Sequence, residues 1–305
     1  MAGTGAPALI GVDWGTSNFR AFLLDASGEI LDRRAGPHGI MTVADQKFGQ
    51  VLAARVGEWL SEGRLPILMS GMIGSRQGWV EAPYVATPAG IGDLAAALAR
   101  VPFDAADIHI VAGLTTVAGG AHDVIRGEET QVFGALARLG VSDGRFLLPG
   151  THSKWVVAEA SKVTAFATYM TGEIFAAARE HTILGRLMQE GTSSGGAFLR
   201  GVADGAKPGA PGALLHRLFA VRTAGLFGEI DGVDLSDYLS GLLIGAELAD
   251  QPASNARPVH IIASDALAER YRTAAGSLGI GAEIVPSDCI VDGYLAIARM
   301  AELAR

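Results

Sequence analysis

Residues 10–25 read IGVDWGTSNFRAFLLD, which is an apolar strand, a turn of small and hydroxylated residues, and a second apolar strand. About half a chain later, residues 146–159 read FLLPGTHSKWVVAE and follow the same plan. A tight glycine turn exposes backbone N–H groups and Thr or Ser adds hydroxyl donors, so each turn suits an anionic phosphate. Most Gly-Thr hairpins are plain turns. Two such turns, with Asp13 just before the first, favour a polyphosphate that is held by two similar halves of the chain.

The composition is typical of a folded protein with large cores. The chain has 305 residues, of which 49% are hydrophobic and 18% charged, and this length fits two domains better than one. The net charge of −8 argues against nucleic acid as a partner, because a nucleic-acid-binding protein usually presents a basic face. An anion site therefore has to be made locally, from N–H groups, arginine and a metal ion.

The single cysteine, Cys289, excludes an internal disulfide and fits a reducing compartment. We expect it to be a small buried residue; a nucleophile is the less favoured alternative. The first seven residues lack the regions of a signal peptide, and no apolar run is long enough to span a bilayer. The sequence thus predicts a soluble, cytoplasmic protein with no membrane partner, and it leaves open whether the chain forms a homodimer.

Hydrophobic periodicity predicts strands and helices mixed along the whole chain, which is typical of an α/β protein with mixed sheets. Strands are expected at 9–14, 19–25, 29–33, 65–69, 108–112, 145–148, 155–158, 163–167, 259–263 and 283–285. Helices are expected at 45–60, 130–139, 172–179, 182–190, 213–219, 235–250, 265–278 and 293–303. We place a domain boundary after residue 125, which gives domains of residues 1–125 and 126–305.

The hairpins resemble those of the sugar kinase, Hsp70 and actin superfamily, in which two similar domains clamp ATP. The resemblance implies two ribonuclease H-like domains with mixed sheets flanked by helices and an ATP cleft between them, as in hexokinase and actin. It implies that Asp13 holds Mg²⁺, usually through water. It also implies that the phosphates are approached by Gly15, Thr16 and Ser17.

The second hairpin departs from the superfamily pattern at one point. An Asp often precedes the glycines there, but Pro149 stands near that place. Lys154 either adds a cation to the turn or is a solvated surface lysine. We assign the second set of phosphate contacts to Gly150, Thr151, His152 and Ser153.

Residues 126–131 read RGEETQ and lie at the start of an expected helix. Many sugar kinases of the superfamily have a Gly-Asp or Asn-Asp pair at a similar position, and its carboxylate takes the proton from the sugar hydroxyl. Such a carboxylate can orient and deprotonate an alcohol, so we expect Glu128 or Glu129 to be the catalytic base. Gly127 favours Glu128, which follows it directly. The alternative is structural, because acidic residues stabilise the first turn of any helix.

Residues 69–84 read MSGMIGSRQGWVEAPY and form a loop after a buried strand, where binding groups concentrate. An arginine fork matches a carboxylate bidentately, while Gln, Glu and aromatic rings suit the hydroxyls and the apolar face of a sugar. An ordinary polar loop with an Arg–Glu pair is the alternative. The expected substrate-binding residues are Arg76, Gln77, Trp79, Glu81 and Tyr84, together with Arg20 of the first hairpin.

The runs at 71–84, 126–131, 148–155 and 169–173 (YMTGE) together resemble the 2-dehydro-3-deoxygalactonokinase family. With the first hairpin and the stretches 240–248 and 259–271, the resemblance covers nearly the whole chain. It implies phosphorylation of 2-dehydro-3-deoxy-D-galactonate at its 6-hydroxyl by ATP, a step of galactonate catabolism. The carboxylate of that substrate would give Arg76 a partner.

The superfamily resemblance places the adenosine in the second domain, where a strand ends before a helix. Ala263 and Ser264 stand there in place of the usual glycines, and we assign them to the adenosine; an ordinary helix cap is the alternative. Two other functions stay open. The RGEETQ run also resembles exopolyphosphatases, which are phosphohydrolases, and an actin-like nucleotide-dependent sensor would need no sugar. The loop around Arg76 favours the kinase, because a polyphosphate enzyme would need more cations.

Overall fold

The computed structural model describes residues 5–61, 64–210, 212–251 and 258–304. The chain forms two compact units, each built from separate stretches of sequence. Unit 1 contains residues 1–144, 156–166 and 287–305, and unit 2 contains residues 145–155 and 167–286. The domain boundary after residue 125 stays a prediction.

The described residues form strands and helices that are mixed along the chain. The strands are β1 (Pro7–Trp14), β2 (Phe19–Asp25), β3 (Ile30–Gly36), β4 (Ile67–Ser70), β5 (Tyr84–Ala86), β6 (Ala89–Gly90), β7 (Ala99–Val101), β8 (Ile108–Ile110), β9 (Gly113–Ala118), β10 (Ala121–Ile125), β11 (Gly144–Leu148), β12 (Ser153–Glu159), β13 (Lys162–Tyr169), β14 (Val259–Ile261) and β15 (Ala282–Ile284). The helices are α1 (Phe48–Leu60), α2 (Ile91–Ala96), α3 (Glu128–Leu139), α4 (Thr171–His181), α5 (Gly196–Gly205), α6 (Ala213–Leu226), α7 (Leu235–Asp250), α8 (Asp265–Ser277) and α9 (Ile290–Met300).

The two large sheets repeat one strand plan. The first has the order β3-β2-β1-β4-β8-β7; β1 pairs antiparallel with β2 and parallel with β4, and β4 pairs parallel with β8. A small sheet has the order β10-β9-β5. In the second large sheet, β11 lies between β12 and β14; β11 is parallel to β14, and β14 is parallel to β15. This repetition confirms the expected α/β fold with two similar halves and mixed sheets.

Burial explains why the central strands read as continuous apolar runs. Leu9, Ile10 and Val12 of β1 have no exposed surface, as expected for a strand covered on both faces. Helix α1 covers one face with apolar residues spaced three or four apart, at Phe48, Leu52, Val56 and Trp59. Unit 2 has its own apolar clusters, which include residues of β11, β14 and the helices α5, α7 and α8.

One expected helix is shorter in the structure than its sequence pattern predicts. The segment expected as a helix at 182–190 forms only a short 3₁₀ helix, Ile183–Leu187, because Gly185 and the β-branched Thr182 and Ile183 disfavour a longer one. Cys289 is buried as expected, and burial raises the pKa of its thiol to about 12. Among the described residues, no helix has both the length and the apolar character needed to cross a lipid bilayer.

Candidate active site

The first hairpin places Asp13, near the end of β1, opposite Arg20 of β2. The Arg20 guanidinium donates to Asp13 Oδ2 from Nη2 at 2.5 Å and from Nε at 3.0 Å. The Asp13 side chain is 16% exposed, so its charge is partly desolvated and is balanced by Arg20. Arg20, expected to bind substrate, thus lies on the carboxylate expected to hold the metal ion.

The turn of this hairpin is exposed and offers donors. The Gly15 N–H donates to the Asn18 carbonyl at 2.9 Å, and N–H groups of residues 39–41 donate to the turn's carbonyls. Thr16 and Ser17 are both exposed. Because the carbonyl oxygens already accept bonds, the turn offers a ligand mainly N–H and hydroxyl groups, as a phosphate requires.

Two glycines bring the acidic start of α3 against the end of β4. Gly71 has φ 93°, and a Cβ there would stand 2.8 Å from the Trp14 carbonyl oxygen. Gly127 has φ 109°, and a Cβ there would stand 3.0 Å from the Gly71 Cα. Both conformations favour glycine, and both contacts exclude a side chain. The end of β1, the end of β4 and the start of α3 therefore meet at one place in unit 1.

Glu128 and Glu129 have opposite environments at the start of α3. Glu128 is half-buried, and its Oε2 accepts from the Arg126 N–H at 2.9 Å. Glu129 has no exposed surface; its Oε2 accepts from the Gly127 N–H at 2.7 Å and its Oε1 from the Thr130 hydroxyl at 3.1 Å. Burial raises the pKa of Glu129 to about 7, and the nearby charge of Glu128 adds to the rise. Of the two, only Glu128 has surface with which to touch a substrate.

A buried pair of hydroxyl groups, which the sequence did not indicate, lies beside the point where the ends of β1 and β4 meet the start of α3. Ser70 pairs with Asp13 across the parallel strands, and its Oγ lies 2.6 Å from the hydroxyl of Tyr294 in α9. A Cβ at Gly11 would stand 2.5 Å from the Tyr294 ring, so the glycine makes room for it. Burial raises the pKa of Tyr294 well above its ordinary value, and the charge of Asp13 adds to the rise, so the hydroxyl stays neutral.

The loop at 71–84 exposes most of the residues expected to bind substrate. The Arg76 side chain is 88% exposed and pairs with Glu81 at 3.0 Å, which is also the geometry of the polar-loop alternative. Gln77 is exposed, and Tyr84 is 43% exposed. The structure leaves these four side chains accessible on one loop of unit 1.

Trp79, the fifth expected residue of this loop, packs mainly against the core. Its ring is stacked on Phe48 with centroids 6.4 Å apart and meets Phe103 edge-on at 5.6 Å. The residue is half-buried. Its main contacts therefore anchor the loop to unit 1 and leave only part of the side chain for a ligand.

Arg126 is another residue whose role the sequence did not indicate, because in the run RGEETQ only the glutamates suggested a catalytic role. It is 8% exposed; its Nη2 donates to the Ala82 carbonyl at 2.8 Å, and its guanidinium carbon lies 4.2 Å from the centroid of the Tyr84 ring. Its Nη1 is buried without a hydrogen-bond partner among the described residues. Arg126 thus fastens the end of the loop to the segment that carries Glu128.

The second hairpin, in unit 2, exposes three of its four expected phosphate contacts. Gly150, Thr151 and His152 are exposed. Ser153 is buried, and its hydroxyl donates to Glu247 Oε1 at 2.7 Å, so this side chain is already engaged inside the protein. The sequence alone could not indicate this hydrogen bond, because its acceptor lies on α7.

Lys154, which follows the turn, is 6% exposed and is therefore not a solvated surface lysine. Its Nζ donates to the His152 carbonyl at 3.3 Å. The ammonium group thus lies beside the backbone of the second turn, where its charge adds to the donors of the turn.

A cavity of about 320 Å³ opens beside the second turn, entirely within unit 2. Arg270 borders it, held by Asp237 at 2.7 Å and Ser240 at 3.0 Å. Ala263 and Ser264, expected at the adenosine, are not among the residues that line it. The lining includes Gly150, Thr171, Gly172, Phe175, Arg179, Asp237, Ser240, Leu267, Arg270 and Tyr271.

No cluster of three or more His, Cys, Asp or Glu side chains within the described ranges could hold a metal ion by itself. Both bonds from Arg20 go to Asp13 Oδ2, so Oδ1 is the oxygen better placed to accept a bond from a metal-bound water. This donor set fits a cation that is held chiefly by phosphate oxygens and water, as Mg²⁺ commonly is.

The chain is similar to sugar-acid kinases over nearly its whole length. The model of the 2-keto-3-deoxy-galactonokinase family matches residues 13–297. A Rhizobium meliloti (strain 1021) protein named "Probable 2-dehydro-3-deoxygalactonokinase DgoK1" is 36% identical over 294 residues, which cover 95% of this chain and 96% of that protein. The Escherichia coli (strain K12) protein named 2-dehydro-3-deoxygalactonokinase is 34% identical, with 92% of this chain and 93% of that protein covered.

A solved structure shows the same similarity in three dimensions. It is the crystal structure of a Sinorhizobium meliloti protein provisionally named as a 2-dehydro-3-deoxygalactonokinase. The match has a TM-score of 0.87 at 36% identity and covers 95% of this chain and 98% of that one.

Proposed function

This chain belongs to the 2-keto-3-deoxy-galactonokinase family, and we propose that it transfers the γ-phosphoryl group of ATP to the 6-hydroxyl of 2-dehydro-3-deoxy-D-galactonate. The observation that carries the proposal is the meeting of Asp13 and the Gly127–Glu128 segment at the ends of β1 and β4, in a chain that matches this kinase family from residue 13 to residue 297. Phosphoryl transfer needs a base, a charge-neutralising site and exclusion of water, and little covalent chemistry from the protein.

Glu128 is the proposed catalytic base. Its carboxylate is half-buried and anchored by the Arg126 N–H, so it is oriented yet still reachable. The sugar 6-hydroxyl donates its proton to this carboxylate as its oxygen attacks the γ-phosphorus; the bond from that phosphorus to the β,γ-bridging oxygen breaks, and ADP leaves with this oxygen. Glu129, which has no exposed surface, is assigned to holding Gly127 through the bond at 2.7 Å rather than to touching the sugar.

Asp13 and the first turn are the proposed site for the metal-bound phosphates. Asp13 Oδ1 would hold Mg²⁺ through water, while Thr16 and Ser17 donate to phosphate oxygens. The Gly15 N–H already donates to the Asn18 carbonyl, so Gly15 contributes close approach of the backbone to the phosphates. When bound, Mg²⁺ supplies neutralisation of the charge that develops on the transferred group. Arg20 orients the Asp13 carboxylate through two hydrogen bonds, and its guanidinium is the nearest cation to that carboxylate in the described part of the chain.

The loop at 71–84 is the proposed site of the sugar acid. Gln77 and Glu81 offer partners to its hydroxyls, and Arg76 offers a fork to its carboxylate. Tyr84 and the exposed part of Trp79 offer apolar faces to the carbon chain. Glu81 already pairs with Arg76, so a carboxylate ligand would compete for the same guanidinium.

The nucleotide's remaining contacts are proposed in unit 2. Gly150, Thr151 and His152 donate to phosphate, and the buried Lys154 adds positive charge. The cavity next to this turn has the volume for a nucleoside and is bordered by the Arg270 side chain, so we propose the adenosine there. The assignment of Ala263 and Ser264 to the adenosine stays a prediction, since these two residues do not line this cavity.

Identifying the product tests the proposed reaction. Incubation of the protein with ATP, Mg²⁺ and the sugar acid should give a phosphate ester whose ³¹P signal couples to the protons on carbon 6. An ester at another carbon would contradict the proposed position of attack. Release of inorganic phosphate alone would favour the phosphohydrolase.

A further inference from the structure

Glu247 of α7 is a buried carboxylate that accepts four hydrogen bonds. Its Oε1 accepts from Ser153 Oγ at 2.7 Å and from Trp155 Nε1 at 2.9 Å. Its Oε2 accepts from Thr171 Oγ1 at 2.5 Å and from the Tyr271 hydroxyl at 2.9 Å. The residue is 3% exposed, and burying an unsatisfied carboxylate is strongly unfavourable, so the four donors account for its presence.

These donors lie on the elements that surround the cavity of unit 2. Thr171 begins α4 and Tyr271 belongs to α8, and both residues line the cavity. Ser153 begins β12 directly after the exposed second turn. The Glu247 carboxylate of α7 thus bonds side chains of β12, α4 and α8 around the cavity proposed for the nucleotide.

The second turn is itself fastened to the first turn of α4. A Cβ at Gly172 would stand 2.3 Å from the Gly150 carbonyl oxygen, so only glycine allows this approach. The Glu173 N–H donates to the Thr151 carbonyl at 2.9 Å, and the His152 ring bonds the Glu173 carboxylate. Whatever fixes the start of α4 therefore also fixes the backbone proposed to hold phosphate.

The charge of Glu247 sets the direction of the hydroxyl bonds. Ser153, Thr171 and Tyr271 each have one hydroxyl proton, and each gives it to the carboxylate. An amide in its place would offer its own N–H donors to one side of this group, so at least one bond would have to break or reverse. A glutamine therefore cannot replace the glutamate without rearranging the network.

We propose that Glu247 is a positioning residue for the nucleotide: it holds the second turn, α4 and α8 around the cavity without touching the ligand. The inference rests on the proposed function in one respect, because it takes the ligand of this cavity to be a nucleotide. It does not depend on which sugar acid is the acceptor.

The test is the affinity for ADP of Glu247→Gln, measured by calorimetry without any sugar. We expect its Kd for ADP, and its KM for ATP, to rise about tenfold or more, while the KM for the sugar acid changes less than about twofold. Trp155→Phe removes one donor to Glu247 and no residue of the cavity lining, and we expect its Kd for ADP to rise about two- to threefold. Glu247→Asp keeps the charge and should be intermediate.

Asp204→Asn is the matched control. Asp204 also accepts bonds from side chains of unit 2, from Tyr238 at 2.8 Å and Lys207 at 2.6 Å, but it does not line this cavity. Its Kd for ADP should equal that of the wild type. If Glu247→Gln fails to fold, Trp155→Phe and Glu247→Asp carry the test.

Two results would overturn the inference: a folded Glu247→Gln with unchanged Kd for ADP and only a lower Tm, or a wild type that does not bind ADP. A wild type that binds ADP but does not phosphorylate the sugar acid would contradict the proposed function alone. In that case the comparison of ADP affinities still decides the role of Glu247.

Discussion

A Cβ on Gly127 would stand 3.0 Å from the Cα of Gly71, so two backbone segments that are far apart in sequence are in contact. Gly71 directly follows β4, the strand that pairs with β1, and Gly127 directly precedes Glu128. The distance between Asp13 and the proposed base is therefore set by backbone atoms rather than by flexible side chains. Catalysis by orientation of the reactants requires that the catalytic groups be held in place in this way before the substrate binds.

Gly127→Ala should damage both the fold and the reaction. The positive φ of 109° would cost about 1–3 kcal/mol for alanine, and the added methyl would push Gly71 and Glu128 apart. We expect kcat to fall at least about tenfold, measured on the folded protein. Gly140→Ala, at the other end of α3, is the control. Its φ is 65°, but apart from its chain neighbours no atom of the described residues lies within 4 Å of an added Cβ, so only stability should suffer. Equal kcat in both variants would contradict this account.

Glu128→Gln should lower kcat by about a hundredfold or more with little change in either KM, because an amide cannot take the proton. Glu129→Gln should keep most of the activity, since Glu129 has no surface with which to reach a substrate. Steady-state kinetics of the two variants give the answer. The opposite ranking would make Glu129 the base, and near-normal kcat in both would place the base elsewhere.

Glu129 should also make stability depend on pH. Its pKa is about 7 in the folded chain against an ordinary 4.5, so the folded chain holds more protons between these values. The stabilisation is complete below about pH 4.5 and is lost as pH rises through 7. By about pH 8 this loss amounts to about 3 kcal/mol, as each pKa unit is worth about 1.4 kcal/mol.

Urea unfolding at pH 5 and pH 8 measures this effect. The free energy of unfolding of Glu129→Gln should decline less over this range than that of the wild type, because the amide does not titrate. Glu159→Gln, at an exposed residue of β12, should follow the wild type. A wild type and a Glu129→Gln variant with parallel profiles would show that Glu129 does not titrate in this range.

Arg76→Ala should raise the KM for the sugar acid about thirtyfold and leave the KM for ATP nearly unchanged, as expected for a lost charge-assisted contact. Arg100→Ala, another exposed arginine of unit 1 paired with an aspartate, should alter neither KM. If the KM for the sugar acid does not change in Arg76→Ala, the exposed pair with Glu81 is only structural. The buried Arg126 would then be the cation to examine.

Local patterns of sequence sufficed for the hairpins and for most long helices. Strand β2 and helix α7 have the expected bounds because their apolar periods are unbroken. The sequence did not predict the short strands β5 to β7, β9 and β10 or the helices α2 and α5. Elements of two to six residues, and a helix rich in glycine, show too little hydrophobic periodicity.

The site was only partly predictable, for a physical reason. The sequence pointed to Asp13 and Glu128 through turns and glycines, which are local signals. It could not show that Ser153 donates to Glu247, 94 residues away, or that Arg126 holds the Ala82 carbonyl. Such contacts depend on tertiary packing, so a residue can have the right chemical type and still be occupied within the protein.

The most direct test of the central claim is ADP release by the purified protein in a coupled assay, with and without 2-dehydro-3-deoxy-D-galactonate and with and without Mg²⁺. The account predicts ADP release only when the sugar acid, ATP and Mg²⁺ are all present, and little release when a neutral sugar replaces the acid. Equal ATP hydrolysis with and without any sugar acid would contradict it.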